Sequence, residues 1–382
     1  MKKSFLLISA VIFMTGCTVP DKENIENINR QEINSSISGE SEKSPESGYI
    51  PLNYDNQIGL WLPYMDFEEY MYGKTEQEYR SAVSEILERA SENDINTIYF
   101  HAHPNGDAYY NSEIFPKGIF YDGDYDPLEI ITETAHDMGI SVHAWINPYR
   151  MQTTEQMEKI SDDFIVKQWI AENNPMVKVV GNRYYLNPAY DEVTELICST
   201  AGEILDNYNV DGLHIDDYFY PSTEFEFDRE AFETESGDIN DWRRENINHM
   251  VSSLYETVKS RDMNLKFGIS PQGNIDIDYN NQYADVERWT SVTGYCDYIV
   301  PQLYFGFQNA VCPFEETLHR WENLVSESDV SLIVGLASYK QGKYDQWAGA
   351  SGENEWIDND DVIERQVELV KSSTADGYAF YE

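Results

Sequence analysis

"DGLHIDDYFYP", residues 211–221, sets two adjacent carboxyl side chains at the end of a short apolar run. Leu213 and Ile215 alternate with His214 and Asp216, and a period of two sends the two sets to opposite faces of a strand. With the apolar pair packed under helices, His214 and Asp216 face inward, and Asp216 stands where the strand leaves the core. Asp217 falls on the other face while the strand continues. The aromatic and proline residues 218–221 turn the chain outward and bring its carboxylate to the rim.

The same texture recurs on both sides of this stretch. Apolar runs at 58–64, 96–103, 140–146, 211–217, 265–271, 297–304, 332–338 and 376–381 read as strands. Helical patterns lie between them at 75–91, 127–138, 190–207, 241–260, 283–293, 313–327 and 360–373; in the first, Tyr79, Val83, Ile86, Leu87 and Ala90 share one face. Runs this continuously apolar suit parallel strands covered by helices better than an antiparallel sheet with one wet face. The alternation predicts an α/β fold, a TIM-type (β/α)8 barrel forming a single domain over residues 50–382. No glycine-rich phosphate loop follows the first strand, which argues against a doubly wound open sheet.

In such a barrel, function sits at the C-terminal ends of the strands. The long connections 147–189, 218–240 and 339–359 all leave from that end and are rich in Tyr, Trp, Asn and Asp. The residues gathered there are His103 and Asp107 after the second strand, Asn147, Tyr149 and Arg150 after the third, and His214, Asp216, Asp217 and Tyr218 at the fourth. Ser270 and Gln272 follow the fifth strand, and Gln302 and Tyr304 the sixth. Amides, carboxylates and rings in one cup suit a sugar, whose hydroxyls need paired donors and acceptors while its C–H faces stack on aromatics. Cleaving a glycosidic bond also needs one protonated and one ionised carboxyl group. Asp216 is expected to be nucleophile or base and Asp217 the acid, their like charges holding one pKa up. His214 is expected to orient Asp216 from below, and Asp66, Asp107 and Glu382 stay open as sources of a second acid. Trp347 and Trp356, in the loop 339–359, are expected to be exposed stacking platforms.

Two other functions fit the same residues. The histidines of "HAH" (101–103) together with His143, His214 and Asp216 resemble the His/Asp ligand sets of metal-dependent barrel hydrolases. A glycan-binding module without catalysis would use the same cup.

The N-terminus speaks of compartment. "MKKSFLLISAVIFMTGC" has a basic start, an apolar run from Phe5 to Met14 and small residues before Cys17, a lipoprotein signal peptide over residues 1–17 that is too short to span a bilayer. Cys17 is the expected lipidation site, so the mature chain is expected to be exported and lipid-anchored to the outer side of a bacterial membrane. Residues 18–49 read as a disordered acidic tether. With 26 Lys and Arg against 69 Asp and Glu, a formal charge of −43 repels nucleic acid. Cys198, Cys296 and Cys312 have no CxxC spacing and are expected to be free thiols.

"NTIYFHAHPNGDAYY", "DPLEIITETAHDMGISVHAWINPYR", "DGLHIDDYFYP", "GISPQGN" and "CDYIVPQLY" occur in this order between residues 96 and 304. Together they resemble the glycosyl-hydrolase-like family 10 proteins, a group of bacterial envelope barrels, over roughly residue 58 to the C-terminus. The resemblance implies a TIM-type barrel, hydrolysis of O-glycosidic bonds in a polysaccharide, no cofactor, no metal, and a site around Asp216 and Asp217 with Asn147 and Arg150 beside it. An envelope location makes peptidoglycan glycan strands the nearest substrate, and an imported plant or host polysaccharide is equally compatible with an anchored enzyme. The chain departs from the family pattern in carrying His101 and His103 where a glutamine and an arginine are usual.

Overall fold

The structure, a computed structural model, describes residues 48–326 and 328–382. The expected signal peptide, Cys17 and nearly all of the expected tether lie outside the described residues. Eight parallel strands close into a barrel: β1 (Gln57–Leu62), β2 (Thr97–His103), β3 (Ser141–Ile146), β4 (Gly212–Ile215), β5 (Lys266–Ile269), β6 (Tyr298–Ile299), β7 (Ser331–Ala337) and β8 (Gly377–Tyr381). Closure is made by β1 and β8, which pair from Gln57↔Gly377 to Leu60↔Phe380. Main helices cover the outside: α1 (Glu76–Glu92), α2 (Pro127–Asp137), α3 (Asp191–Asn207), α4 (Ile239–Lys259), α5 (Phe314–Val325) and α6 (Val362–Ser372).

Local chemistry starts these helices where the sequence says it should. Thr75 and Glu78 form a reciprocal capping box on α1, satisfying two backbone donors that would otherwise be orphaned. Asp126 caps α2, with Pro127 in the first turn where its missing N–H costs nothing. α1 then buries Tyr79, Val83, Leu87 and Ala90.

The barrel interior is aromatic and hydrogen-bonded. Trp61, Tyr99, Trp145, Tyr298, Val300, Ile333 and Ala379 form one buried cluster. His214 Nε2 receives the Trp61 indole N–H at 3.2 Å and His214 Nδ1 lies 3.1 Å from the Tyr298 hydroxyl, which lies 2.6 Å from His143 Nδ1; His143 Nε2 in turn lies 3.0 Å from Asn53 Oδ1. One proton arrangement satisfies the whole chain: Trp61 donates to His214, His214 to Tyr298, Tyr298 to His143, and His143 to Asn53. Both imidazoles are then neutral, in line with burial pulling His143 down to about 4 and His214 well below its ordinary range. Gly268 makes room for this network, since a Cβ there would stand 1.8 Å from the Tyr298 ring.

Boundaries differ from the periodicity. β6 is two residues long instead of spanning 297–304, because Pro301 brings no N–H to the ladder; Gln302 continues by single bridges to Gln272 and Gly335. The helical pattern at 283–293 is the shorter helix Val286–Ser291, and a further short helix, Ile275–Asn281, precedes it where none was expected. The connection 147–189 carries a three-stranded antiparallel sheet of Arg150–Thr153, Arg183–Leu186 and Val177–Val180. Cys198, Cys296 and Cys312 are free thiols.

Candidate active site

Asp216 and Asp217 leave the C-terminal end of β4, as the alternation of that strand requires. Asp216 is 4% exposed, and its Oδ1 meets no hydrogen-bonding group of the protein. Burial pushes its carboxyl well above the usual range and the charge on Asp217 adds to the rise; the Tyr218 backbone N–H and Arg150 pull part of it back. Asp217 is also raised by burial, but the side-chain amides of Gln302 and Gln272 stand against it and favour its charged form. Burial thus favours the neutral form more strongly at Asp216, while the two amides favour the charged form of Asp217. The expectation from the sequence has the roles the other way, Asp217 as acid and Asp216 as nucleophile or base.

A third carboxyl completes the group. Asp278 lies on the short helix Ile275–Asn281, which Asn274 caps. It is wholly buried; its Oδ1 accepts the Gln272 backbone N–H at 3.1 Å and its Oδ2 has no partner. Burial, then the charge on Asp217, holds this acid well above the usual range. Sequence reading missed it, since "NIDIDYNN" (274–281) reads as solvated helix surface; a buried position on a seven-residue helix leaves no periodic trace.

The mouth of the cup is basic and aromatic. The Arg150 guanidinium sits over the Tyr218 ring at 4.6 Å, and Tyr218 is 43% exposed. Asp107 is buried, accepts the Asn105 N–H at 2.9 Å, and is pushed up to about 7 by desolvation against the opposing charges of Arg183 and Arg150. Arg183 enters from the antiparallel sheet and donates to Asn105 Oδ1 at 2.9 Å. Tyr304 packs against Tyr339 and Tyr381 with centroids 6.1 and 5.9 Å away, and both Asp217 and Asp216 act on its hydroxyl. Deeper, the His101 imidazole lies flat on Trp145, centroids 3.5 Å apart at 11°.

Four expected sugar ligands do not point into this cup with free groups. His103 follows an irregularity in β2, where the register jumps from His101↔Trp145 to His103↔Ile146; the ring turns outward among Phe115, Leu186, Leu196 and Ile197. Tyr149 is fully buried toward Cys198 of α3. Asn147 spends its amide on the Trp145 indole at 3.1 Å and the Pro104 carbonyl at 3.0 Å, so it braces the wall. His214 hydrogen-bonds Trp61 and Tyr298 rather than Asp216. His103 is turned away and His143 and His214 are both committed to the Tyr298 hydroxyl, which does not suit the ligand set of the metal reading; no group of three or more His, Cys, Asp or Glu able to hold a metal occurs among the described residues. Asp66 and Glu382 line an outer groove beside α1 with Leu60, Ile86 and Phe380. Trp356 is 1% exposed, packed in the loop after β7, whereas Trp347 is 80% exposed.

The family model described as "Glycosyl hydrolase-like 10" matches residues 58–349. The glycosyl hydrolase DigH of Escherichia coli K12 is 30% identical over 321 residues, 76% of this chain and 72% of that protein. The glycosyl hydrolase YngK of Bacillus subtilis is 30% identical over 339 residues, 79% of this chain and 63% of that protein. Among solved structures, the glycoside hydrolase domain of PgaB (BpsB) from Bordetella bronchiseptica superposes with a TM-score of 0.57 at 12% identity, covering 86% of this chain and 94% of that one, a likeness of fold.

Proposed function

This chain belongs to the glycosyl hydrolase-like 10 family, and from that premise we propose that it hydrolyses O-glycosidic bonds within a polysaccharide, using Asp216 and Asp217 as its carboxyl pair. The observation that carries the reading is the unequal pair itself, one carboxyl buried with an unpartnered oxygen and its neighbour met by two amides. Protonated Asp216 gives its proton to the glycosidic oxygen as the C1–O bond breaks, leaving a sugar hydroxyl. Ionised Asp217 supplies the opposing electron pair, either to a proton of the water that attacks C1, or to C1 itself, forming an ester that water then cleaves at C1 while giving its proton back to Asp216 and releasing Asp217. Arg150 and Tyr218 hold the sugar at the mouth, with Asp107, Gln302 and Tyr304 around it. The His101–Trp145 stack and the neutral His214 network form a rigid floor beneath.

The substrate we propose is the glycan strand of peptidoglycan, which the expected export and lipid anchoring through Cys17 would put within reach. Incubating the wild type and Asp216→Asn with purified peptidoglycan strands, with and without stem peptides, and weighing the fragments by mass spectrometry tests both statements. Loss of cleavage with retained strand binding in the variant supports the catalytic reading. An unchanged fragment pattern would sink it.

A further inference from the structure

The loop that follows β7 holds an aromatic surface unused by the chemistry above. Trp347 is 80% exposed and has no ring partner or cation over its face among the described residues. An isolated exposed aromatic is by itself unremarkable. Two further facts make this one different.

The first is bracing. Asp345, only 5% exposed, accepts the Trp347 backbone N–H at 3.1 Å on one oxygen and pairs with Lys340 Nζ at 2.7 Å on the other. Its own N–H reaches the Glu353 carbonyl at 3.0 Å, and Ala348, next to the tryptophan, receives the Ala310 N–H at 2.8 Å. Gly349, at φ 75°, takes the left-handed turn that closes the segment. The second is continuity with the cup. The same Lys340 Nζ donates to the Tyr304 carbonyl at 2.8 Å, and Tyr304 is the ring on which the Asp216 and Asp217 charges act. The indole is thus carried two residues from the buried Asp345 carboxylate, whose partner Lys340 is tied to the wall of the site.

We propose that Trp347 is the platform of a separate glycan-binding subsite, stacking on the C–H face of a pyranose further along the chain whose bond is cut in the cup. Tyr344, 55% exposed with its hydroxyl fixed to Glu353 at 2.8 Å, supplies a second ring on the same loop. This rests on the reading of the cup as a polysaccharide hydrolase and specifies its substrate as a chain long enough to reach the rim. A backbone already fixed around the indole has little freedom left to lose on binding, so more of the stacking energy goes into holding the chain.

The test pairs kinetics with binding, using peptidoglycan glycan strands fractionated by length. Trp347→Ala should raise KM about tenfold for long strands, leave kcat unchanged, and leave the shortest cleaved fragment unaffected; Trp347→Phe should restore most of the loss. In an Asp217→Asn background, adding Trp347→Ala should weaken equilibrium binding of long strands by the same factor. Equal KM at every length, or an equal loss at every length, overturns the subsite while leaving the catalytic reading intact. Absence of both cleavage and binding by the wild type overturns the function itself, and with it the subsite.

Discussion

Asp216 and Asp217 are consecutive in the chain yet meet opposite surroundings: no protein group reaches Oδ1 of Asp216, while the amides of Gln302 and Gln272 face Asp217. Burial with an oxygen left unpartnered favours the neutral form, and two side-chain amides favour the charged one. Asp216→Asn should therefore lower kcat by about 10²–10⁴-fold, the usual range for a lost general acid, with little change in KM. A substrate with an activated aryl leaving group, which needs no protonation, should recover most of that rate in Asp216→Asn and none of it in Asp217→Asn. Recovery in the opposite variant would reassign the two roles.

Gln302 gives the pH dependence a handle. Its amide favours the charged form of Asp217, so removing it raises the Asp217 pKa. Activity requires Asp217 ionised and is lost as the pH falls through that pKa; the acid limb of kcat/KM in Gln302→Ala should move to higher pH. The alkaline limb, set by Asp216 losing its proton, should stay in place. A profile that moves as a whole, or not at all, would show that Gln302 does not act on Asp217.

Asp107 predicts a stability gain won by removing a wall residue of the site. Its carboxyl is at about 7 in the fold against an ordinary 3.8, so the folded state holds the proton more tightly than the unfolded chain. The cost of burial is absent below pH 3.8, grows as the pH rises, and levels off above about 7. On the linkage relation the full cost is about 4 kcal/mol, an upper figure. Asp107→Asn keeps an acceptor for the Asn105 N–H and should unfold at higher denaturant than wild type at pH 8, the two converging near pH 4. A difference constant across this range would mean that the carboxyl is not desolvated.

The barrel was legible because its signal is repeated: each strand is a continuous apolar run, and each covering helix has its own period. The position of Asp216 followed from two-residue alternation in one unbroken strand. That logic failed at His103, where an irregularity after His101 sends the histidine expected to face inward to the outside of the barrel. It failed again in the 147–189 connection, although the Gly181–Asn182 pair between "VKVV" and "RYYL", with Gly181 at φ 62°, is an ordinary hairpin signal that was readable. The burial of Trp356 and of Asp278 depends on loops folding back on the barrel, which no local period records. His101 and Trp145 were legible only as core, since their stacking needs the register between β2 and β3.

His103 offers a direct check on that irregularity. Its ring sits in an apolar pocket, its Nδ1 is unpartnered, and burial takes it down to about 3. A histidine lowered from 6.5 to about 3 leaves the folded state proton-poor, so stability falls as the pH drops from 6.5 toward 3. His103→Leu should lack that loss, keep kcat/KM within about twofold of wild type, and be at least as stable at pH 7. Arg150→Ala, at the mouth, should lower kcat/KM about 10²-fold or more. A large activity loss in His103→Leu without unfolding would put the imidazole back in the cup.

The barrel floor makes the sharpest packing prediction. Tyr298 fills the space that Gly268 leaves open and, through one hydroxyl, joins His143 and His214. A methyl group at position 268 would stand 1.8 Å from the ring's Cζ, so the tyrosine must move and both histidine contacts must stretch or break. Gly268→Ala should then cost about 1–3 kcal/mol for overpacking and a further ~1–3 kcal/mol for buried groups left unpaired. Combining it with Tyr298→Ala, which removes the ring that clashes, should cost clearly less than the sum of the two single changes in urea unfolding. Strict additivity would mean that Gly268 and Tyr298 do not share the space, and that the neutral Trp61–His214–Tyr298–His143 chain is not what fixes the floor beneath Asp216.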